Sequence, residues 1–348
     1  MTRPWMAFGA LLVAALVVIP LSAVAELPGE RPVKELLGMY STSCEITGAG
    51  KGAWRREADM LSVRDGPASA TIGDDVYLVG GIAEFDEDFE NARSDDTVER
   101  FDIATGEWEE LPPLPRALNH AHVGAVDGVL YVLGGALDQL RAGEATGDSW
   151  RFDPAVGRWE EIAPMPTARG EGGVAVVDGR IYVIGGRGGG ATLDTVESYD
   201  PRTDSWSEHA SMPTRRNHLA VAVDRGLIYA LGGRQEDDVS VPTLEVYDPA
   251  ADRWEALPDM PGIKAGFALH ATPSGLVALG GENLDEFHLY GDVLRYRPQQ
   301  RRWDRLEGMP EPRHGYGSAY VDGRLYIFGG SKCSGFSPRP ESYSTPLR

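Results

Sequence analysis

Basic charge is in short supply. Lys and Arg number 33 against 53 Asp and Glu, a net charge of −20. A nucleic-acid or anionic-membrane surface needs a net basic face, so neither is expected as a partner. Glycine is plentiful at 43 but has no three-residue period, which excludes collagen. The signature of disorder is missing as well, because 42% of residues are hydrophobic and can bury a core. The glycine run at 185–190 opens no helix, so it is no phosphate loop. The acidic stretch Glu84, Asp86, Glu87, Asp88, Glu90, Asp95 and Asp96 lacks the spacing of an EF-hand and reads as a solvated loop. No metal and no cofactor are therefore expected. Cysteine is nearly absent, with only Cys44 and Cys333.

Residues 1–25 read as an address. Arg3 is their only charge, an apolar run extends from Ala7 to Ile19, and Ala23-Val24-Ala25 precedes Glu26. That is the order of a secretory signal with an A-x-A cleavage site. The reading competes with an uncleaved anchor, but the A-x-A pattern favours cleavage at about Ala25–Glu26. The protein is then expected to be exported, periplasmic or extracellular, and free of the membrane. Residues 26–49 form an N-terminal extension.

Length alone suggests about two domains, and periodicity changes that. Gly-Gly doublets stand at 80–81, 134–135, 185–186, 232–233, 280–281 and 329–330, each after a β-rich run such as VYLVGG or LYIFGG. Trp54, Trp108, Trp159, Trp206, Trp254 and Trp303 each precede the next doublet by 26 residues. An aromatic stands seven residues before five of them: Phe101, Phe152, Tyr199, Tyr247 and Tyr296. Asp127-Gly128, Asp178-Gly179 and Asp322-Gly323 are two-residue hairpin signals.

This pattern resembles the kelch repeat over residues 50–348. The resemblance implies an all-β fold, a six-bladed kelch-type β-propeller with four strands per blade. The last doublet has Tyr343 after it but no Trp, and Trp54 has no doublet before it. The strand around Trp54 should therefore complete the last blade and close the ring. Cys44 and Cys333 flank that closure. With export, their placement favours a disulfide across it over two unrelated thiols.

Loops of unequal length share one face of such a ring, which is where binding is usually placed. On that face, ten residues after each Trp, stand Arg64, Leu118, Arg169, Arg216, Lys264 and Arg313. Five are cationic, and they are expected to surround one mouth of the central channel. In intracellular kelch substrate adaptors, arginines at the matching position bind acidic peptides. Arg64, Arg169, Arg216 and Arg313 match that position, Lys264 keeps only the charge, and Leu118 departs. Like charges about 10 Å apart repel by roughly 1.7 kcal/mol at an effective dielectric near 20, so the ring needs anions. Either the protein supplies them, from Glu171 or the acidic loop, or a ligand does. His120 and His218, each preceded by Asn, and His314 lie near the same mouth.

The expectation is a secreted binding module for an anionic small molecule, a glycan or an acidic protein segment. The alternative is a carbohydrate epimerase or mutarotase acting on a carboxylated sugar, because exported six-bladed kelch proteins include a sialic-acid mutarotase. Glu171 and His218 are then the proton-transfer candidates. A copper oxidase resembling galactose oxidase needs seven blades and a Cys–Tyr cross-link, which do not fit.

Overall fold

The structure is a computed structural model that describes residues 45–50, 53–83, 93–137, 144–332 and 338–347. Residues 1–25, expected to be a secretory signal, both cysteines and most of the acidic loop lie outside the described residues. So do the central part of the blade 2 loop and most of the N-terminal extension.

Six four-stranded antiparallel sheets follow one another along the chain. Blade 1 runs from the inner strand Ala68–Ile72 through Asp75–Val79 and Val98–Asp102 to the outer strand Glu107–Leu111. Blades 2 to 5 repeat this order, with inner strands His122–Val126, Gly173–Val177, Ala220–Asp224 and Ala268–Thr272. Blade 6 is composite. Gly317–Val321, Arg324–Phe328 and Ser342–Pro346 are its first three strands, and Arg55–Arg56 is the fourth. Arg55 pairs with Ser344 and Arg56 with Tyr343, so the segment beside Trp54 closes the last blade as its spacing predicts. Each inner strand touches that of the next blade, the last touching the first. The sheets thus form a closed six-bladed propeller, which leaves no blade-to-blade edge open.

The first two strands of blades 2, 3 and 6 turn at Asp-Gly pairs. Asp127 and Gly128, for example, have φ of 51° and 80°, the two positive values a type I′ turn requires. The core lies between adjacent blades, not inside any one. Six residues after each Trp stand Met60, Leu114, Met165, Met212, Met260 and Met309, all buried. The Trp indoles tie blade to blade. Trp108 Nε1 donates to Ala58 O at 3.1 Å, Trp206 to Ala163 O at 2.9 Å and Trp54 to Gly308 O at 3.0 Å. The doublets do the same from the loop face. Gly186 N donates to Arg216 O of the next blade at 2.9 Å. A Cβ on Gly185 would lie 2.5 Å from that same carbonyl, so no larger residue fits.

The end of the N-terminal extension has its own place. Glu45–Thr47 pairs in parallel with His288–Tyr290, part of an extra hairpin in the long blade 5 loop.

Candidate functional site

The five expected cations lie inside the blades, not around the channel. Arg64, Arg169, Arg216, Lys264 and Arg313 have 0% exposure. Each arginine turns back under its doublet and donates to the carbonyl of the doublet's first glycine, and Arg64 and Arg216 also to a carbonyl that already accepts from that glycine's N–H. Arg64 Nη1 donates to Gly80 O at 2.7 Å and Thr97 O at 2.9 Å. Arg216 Nη1 donates to Gly232 O and Thr243 O, both at 2.9 Å. Arg313 Nη1 donates to Gly329 O at 2.7 Å, and Arg169 Nε to Gly185 O at 3.0 Å.

The protein also supplies the anions. Arg64 pairs with Glu99 at 2.9 Å and lies 3.8 Å from Asp95. Arg216 pairs with Glu245 at 2.7 Å, Lys264 with Asp292 at 2.5 Å and Arg313 with Glu311 at 3.0 Å. Arg169 pairs with Glu197, not with Glu171. The expected ring of ligand-binding cations at the mouth is corrected accordingly: each of the five is buried against a carboxylate that the protein supplies, although Nε and Nη2 of Arg64 keep no hydrogen-bond partner. The partner carboxylate has a periodic signal of its own, Glu two residues before the third-strand aromatic, at Glu99, Glu197 and Glu245. In blade 2 both members are apolar. Leu118 replaces the cation, Trp150 replaces the acid, and the two share one cluster.

The mouth itself is built from other positions. The residues twelve after each Trp are Gly66, His120, Glu171, His218, Gly266 and Gly315, all with φ between 45° and 62°. They form a belt of backbone hydrogen bonds running from blade to blade. Gly66 N donates to Gly315 O, Gly315 N to Gly266 O, Gly266 N to His218 O, His218 N to Glu171 O and Glu171 N to His120 O, at 2.7–3.1 Å. Glycine adopts this backbone freely. His and Glu there store on the order of 1–3 kcal/mol of strain, a cost that clusters at functional sites. Blades 2, 3 and 4 thus present side chains at the belt, and the other three present none.

One layer away, the residue after each doublet bridges to the residue eleven after the Trp of the preceding outer strand. These residues are Ile82, Ala136, Arg187, Arg234, Glu282 and Ser331. One side of the mouth is therefore apolar and the other strongly polar. Arg234 pairs with Glu282, and His314 Nδ1 lies 3.4 Å from Glu282 Oε1. The Ser331 hydroxyl donates to Asp65 Oδ2 at 2.5 Å.

Glu171 and His218, the proton-transfer candidates, do meet. Glu171 Oε2 is 3.3 Å from His218 Nδ1. That Nδ1 faces Asn217 Oδ1 at 2.7 Å, and an amide oxygen can only accept, so Nδ1 carries the proton. Asn119 fixes His120 in the same way at 2.7 Å, and the two rings meet edge to face at 4.8 Å. Burial pushes the Glu171 carboxyl up to about 7, against the pull of Arg187 and Arg234. Burial likewise raises Asp65 to about 6, holds His120 down at about 4 and holds His218 well below the usual imidazole range.

Several polar atoms here have no hydrogen-bond partner: Glu171 Oε2, Glu282 Oε2, Ser240 Oγ, and Nε of both Arg187 and Arg234. Such atoms are costly to leave unmet. Among the described residues no three His, Cys, Asp or Glu side chains are grouped to hold a metal ion.

A family model, the KLHDC2/KLHL20/DRC7 Kelch-repeats domain, matches residues 66–274. The chain belongs to the kelch-repeat family. It is similar to Kelch-like protein terF of Aspergillus terreus, 37% identical over 155 residues that cover 43% of this chain and 31% of that protein. It is 30% identical over 143 residues to Kelch repeat and BTB domain-containing protein 12 of Danio rerio, covering 40% and 22% of the two chains. It is 34% identical over 99 residues to Kelch-like protein 33 of Homo sapiens, covering 28% and 18%. The chain spans less than a third of the length of each. The family match begins at Gly66, a belt residue, and so takes in the kelch positions occupied by His120, Glu171 and His218. The glycines and tryptophans of this kelch ring are structural, and its chemistry is concentrated at the polar half of the mouth.

Proposed function

We propose that this kelch ring is an interaction module that takes an acidic protein segment on its loop face. One carboxylate of the partner would sit at the mouth against Arg187 and Arg234. The observation that carries this reading is that these two arginines flank the belt and each keep an Nε with no partner, although Arg234 pairs with Glu282 and Arg187 lies 3.8 Å from Asp238. The surrounding face suits a protein partner. Of the six large apolar side chains exposed among the described residues, Ile46, Leu61, Val63, Val239 and Ile263 stand on loop-face segments, and only Val156 does not. The reading keeps the anionic ligand expected from the sequence and moves its contacts to different residues. Export of the ring belongs to the same proposal, and a mature N-terminus at Glu26 is its check.

The test is titration of a fluorescent hexaglutamate peptide at 150 mM salt. Arg187→Ala/Arg234→Ala should weaken binding at least tenfold. Arg55→Ala/Arg56→Ala, on the opposite side of the ring, should leave it unchanged. Equal binding by both double variants would falsify the mouth as the site. A second reading, proton transfer on a carboxylated sugar, draws on the 3.3 Å approach of Glu171 to His218. Faster interconversion of uronate anomers, read by NMR and lost in Glu171→Gln, would mark it.

A further inference from the structure

We infer that Glu171 is the proton acceptor of the anion site. When a carboxylate enters the mouth, Glu171 takes up one proton at Oε2, and the two acids share it through an O–H donated to the ligand. The inference rests on the mouth reading above and adds the chemistry by which the site accepts an anion.

The geometry is specific to this one side chain. Glu171 is held on the belt at φ 62°, between His120 and His218. Its backbone is fixed on both sides, N–H to His120 O and C=O from His218 N. Its Oε2 is buried and has no hydrogen-bond partner. The nearest ring nitrogen, His218 Nδ1, directs its proton at Asn217, whose amide is held by Thr192 Oγ1 at 2.8 Å. Neither histidine therefore serves as the donor that a carboxylate at Oε2 would want.

The second observation comes from blades 4 and 5. Arg234, 6% exposed, and Glu282, 3% exposed, each leave one side-chain atom unpaired at this mouth. A ligand carboxylate would sit against the guanidinium groups of Arg234 and Arg187. It would then lie close to Glu171, and two carboxylates sharing a site do not both stay ionised. One proton taken from solution onto Glu171 removes the repulsion and converts Oε2 from an unmet acceptor into a donor. No other group need change.

The charged and titratable neighbours of Glu171 are Arg187, Arg234 and Asp238 around its carboxylate, His218 on the belt and His120 beyond it. His120, held at about 4 by burial, and His218, held well below 6.5, stay neutral between pH 6 and 8. Asp65, across the belt, is raised to about 6 and titrates at the lower edge of that window. The Glu171 carboxyl, raised to about 7, spans it.

The experiment is calorimetric titration of hexaglutamate into the full chain at pH 6, 7 and 8, in buffers of low and high ionisation enthalpy. The peptide is N-acetylated, so with no free α-amine, and with carboxyls that titrate at about 4.3, it keeps its own charge throughout. If only protonated Glu171 admits the ligand, uptake rises from about 0.1 proton at pH 6 to about 0.9 at pH 8, and Kd weakens about tenfold. Glu171→Gln should bind at all three pH values with no uptake and little change in Kd. Wild-type binding through Arg187 and Arg234 without proton uptake overturns the inference and leaves the mouth reading standing. So does uptake that persists in Glu171→Gln. Binding that survives Arg187→Ala/Arg234→Ala, or no binding at any pH, overturns the mouth reading itself, and this inference with it.

Discussion

Arg216 shows what a periodic cation means when its surroundings are known. At 0% exposure it holds Glu245 and two backbone carbonyls together. Removing one partner of such a pair leaves a charge buried without compensation, whereas exchanging both for apolar side chains of similar volume is often near neutral. Arg216→Met should therefore cost about 3–5 kcal/mol. Arg216→Met/Glu245→Leu should recover most of that loss, as blade 2 already does with Leu118 and Trp150. Urea unfolding of the three proteins checks this, and a double variant no better than the single one would count against it. The sequence showed the cations but not their direction. Position in a repeat says where a Cα lies, and only packing decides whether a long side chain reaches outward or folds back. The matching glutamates, two residues before Phe101, Tyr199 and Tyr247, were legible and are the signal that points the arginines inward. The mouth was harder to read. Glu171 and His218 were visible as candidates, but Arg187, Arg234 and Glu282 follow doublets as ordinary loop residues, and nothing local marks them.

The repeated element is the blade, and the element most at risk is the composite one. Its outer strand is only Arg55–Arg56, whereas the equivalent strands of the other blades run to four or five residues. Trp54 compensates by reaching Gly308 O at 3.0 Å and packing in the cluster that joins blades 5 and 6. Trp54→Phe keeps most of that apolar area and removes the indole donor, a loss of about 1 kcal/mol. Deleting residues 1–56 does more. It exposes the whole edge of Ser342–Pro346, a template for pairing with another chain. The deleted protein should self-associate in sedimentation at concentrations where the full chain does not. A deleted chain that stays monomeric and unfolds cooperatively would show that closure needs no fourth strand. The 26-residue spacing made this closure legible, because a repeat that lacks its last strand and another that lacks its first can only be completed by each other. The parallel pairing of Glu45–Thr47 with His288–Tyr290 was not legible. Three residues carry no usable period, and the partner lies 241 residues away or more.

At the scale of the whole ring, the net charge of −20 belongs to the exterior, and the titratable groups that matter for pH lie inside. His122 shows how firmly the interior fixes them. Its Nδ1 faces Leu133 O at 2.8 Å and must donate, while its Nε2 accepts from Gly172 N at 3.1 Å. A second proton would break that bond. Burial accordingly holds His122 at about 3, His120 at about 4, His270 at about 4 and His218 well below 6.5. A depressed imidazole contributes stability that is present above the unfolded value near 6.5 and lost as pH falls toward the folded one. Burial acts oppositely on Asp65 and Glu171. Their folded values, about 6 and about 7, lie above the unfolded 3.8 and 4.5, so they favour the native state as pH falls through the same window. Between pH 6 and 4.5 the four imidazoles outweigh the two acids, and the unfolded chain binds a net of about two more protons. Stability should then fall by about 2–3 kcal/mol per pH unit. The urea midpoint, followed from pH 7 to 4.5, should be nearly flat at first and drop steeply below pH 6. His122→Gln keeps one donor and one acceptor and should flatten the drop by about one proton's worth. A midpoint that stays level to pH 4.5 would mean that these histidines gain their protons without leaving the native ring.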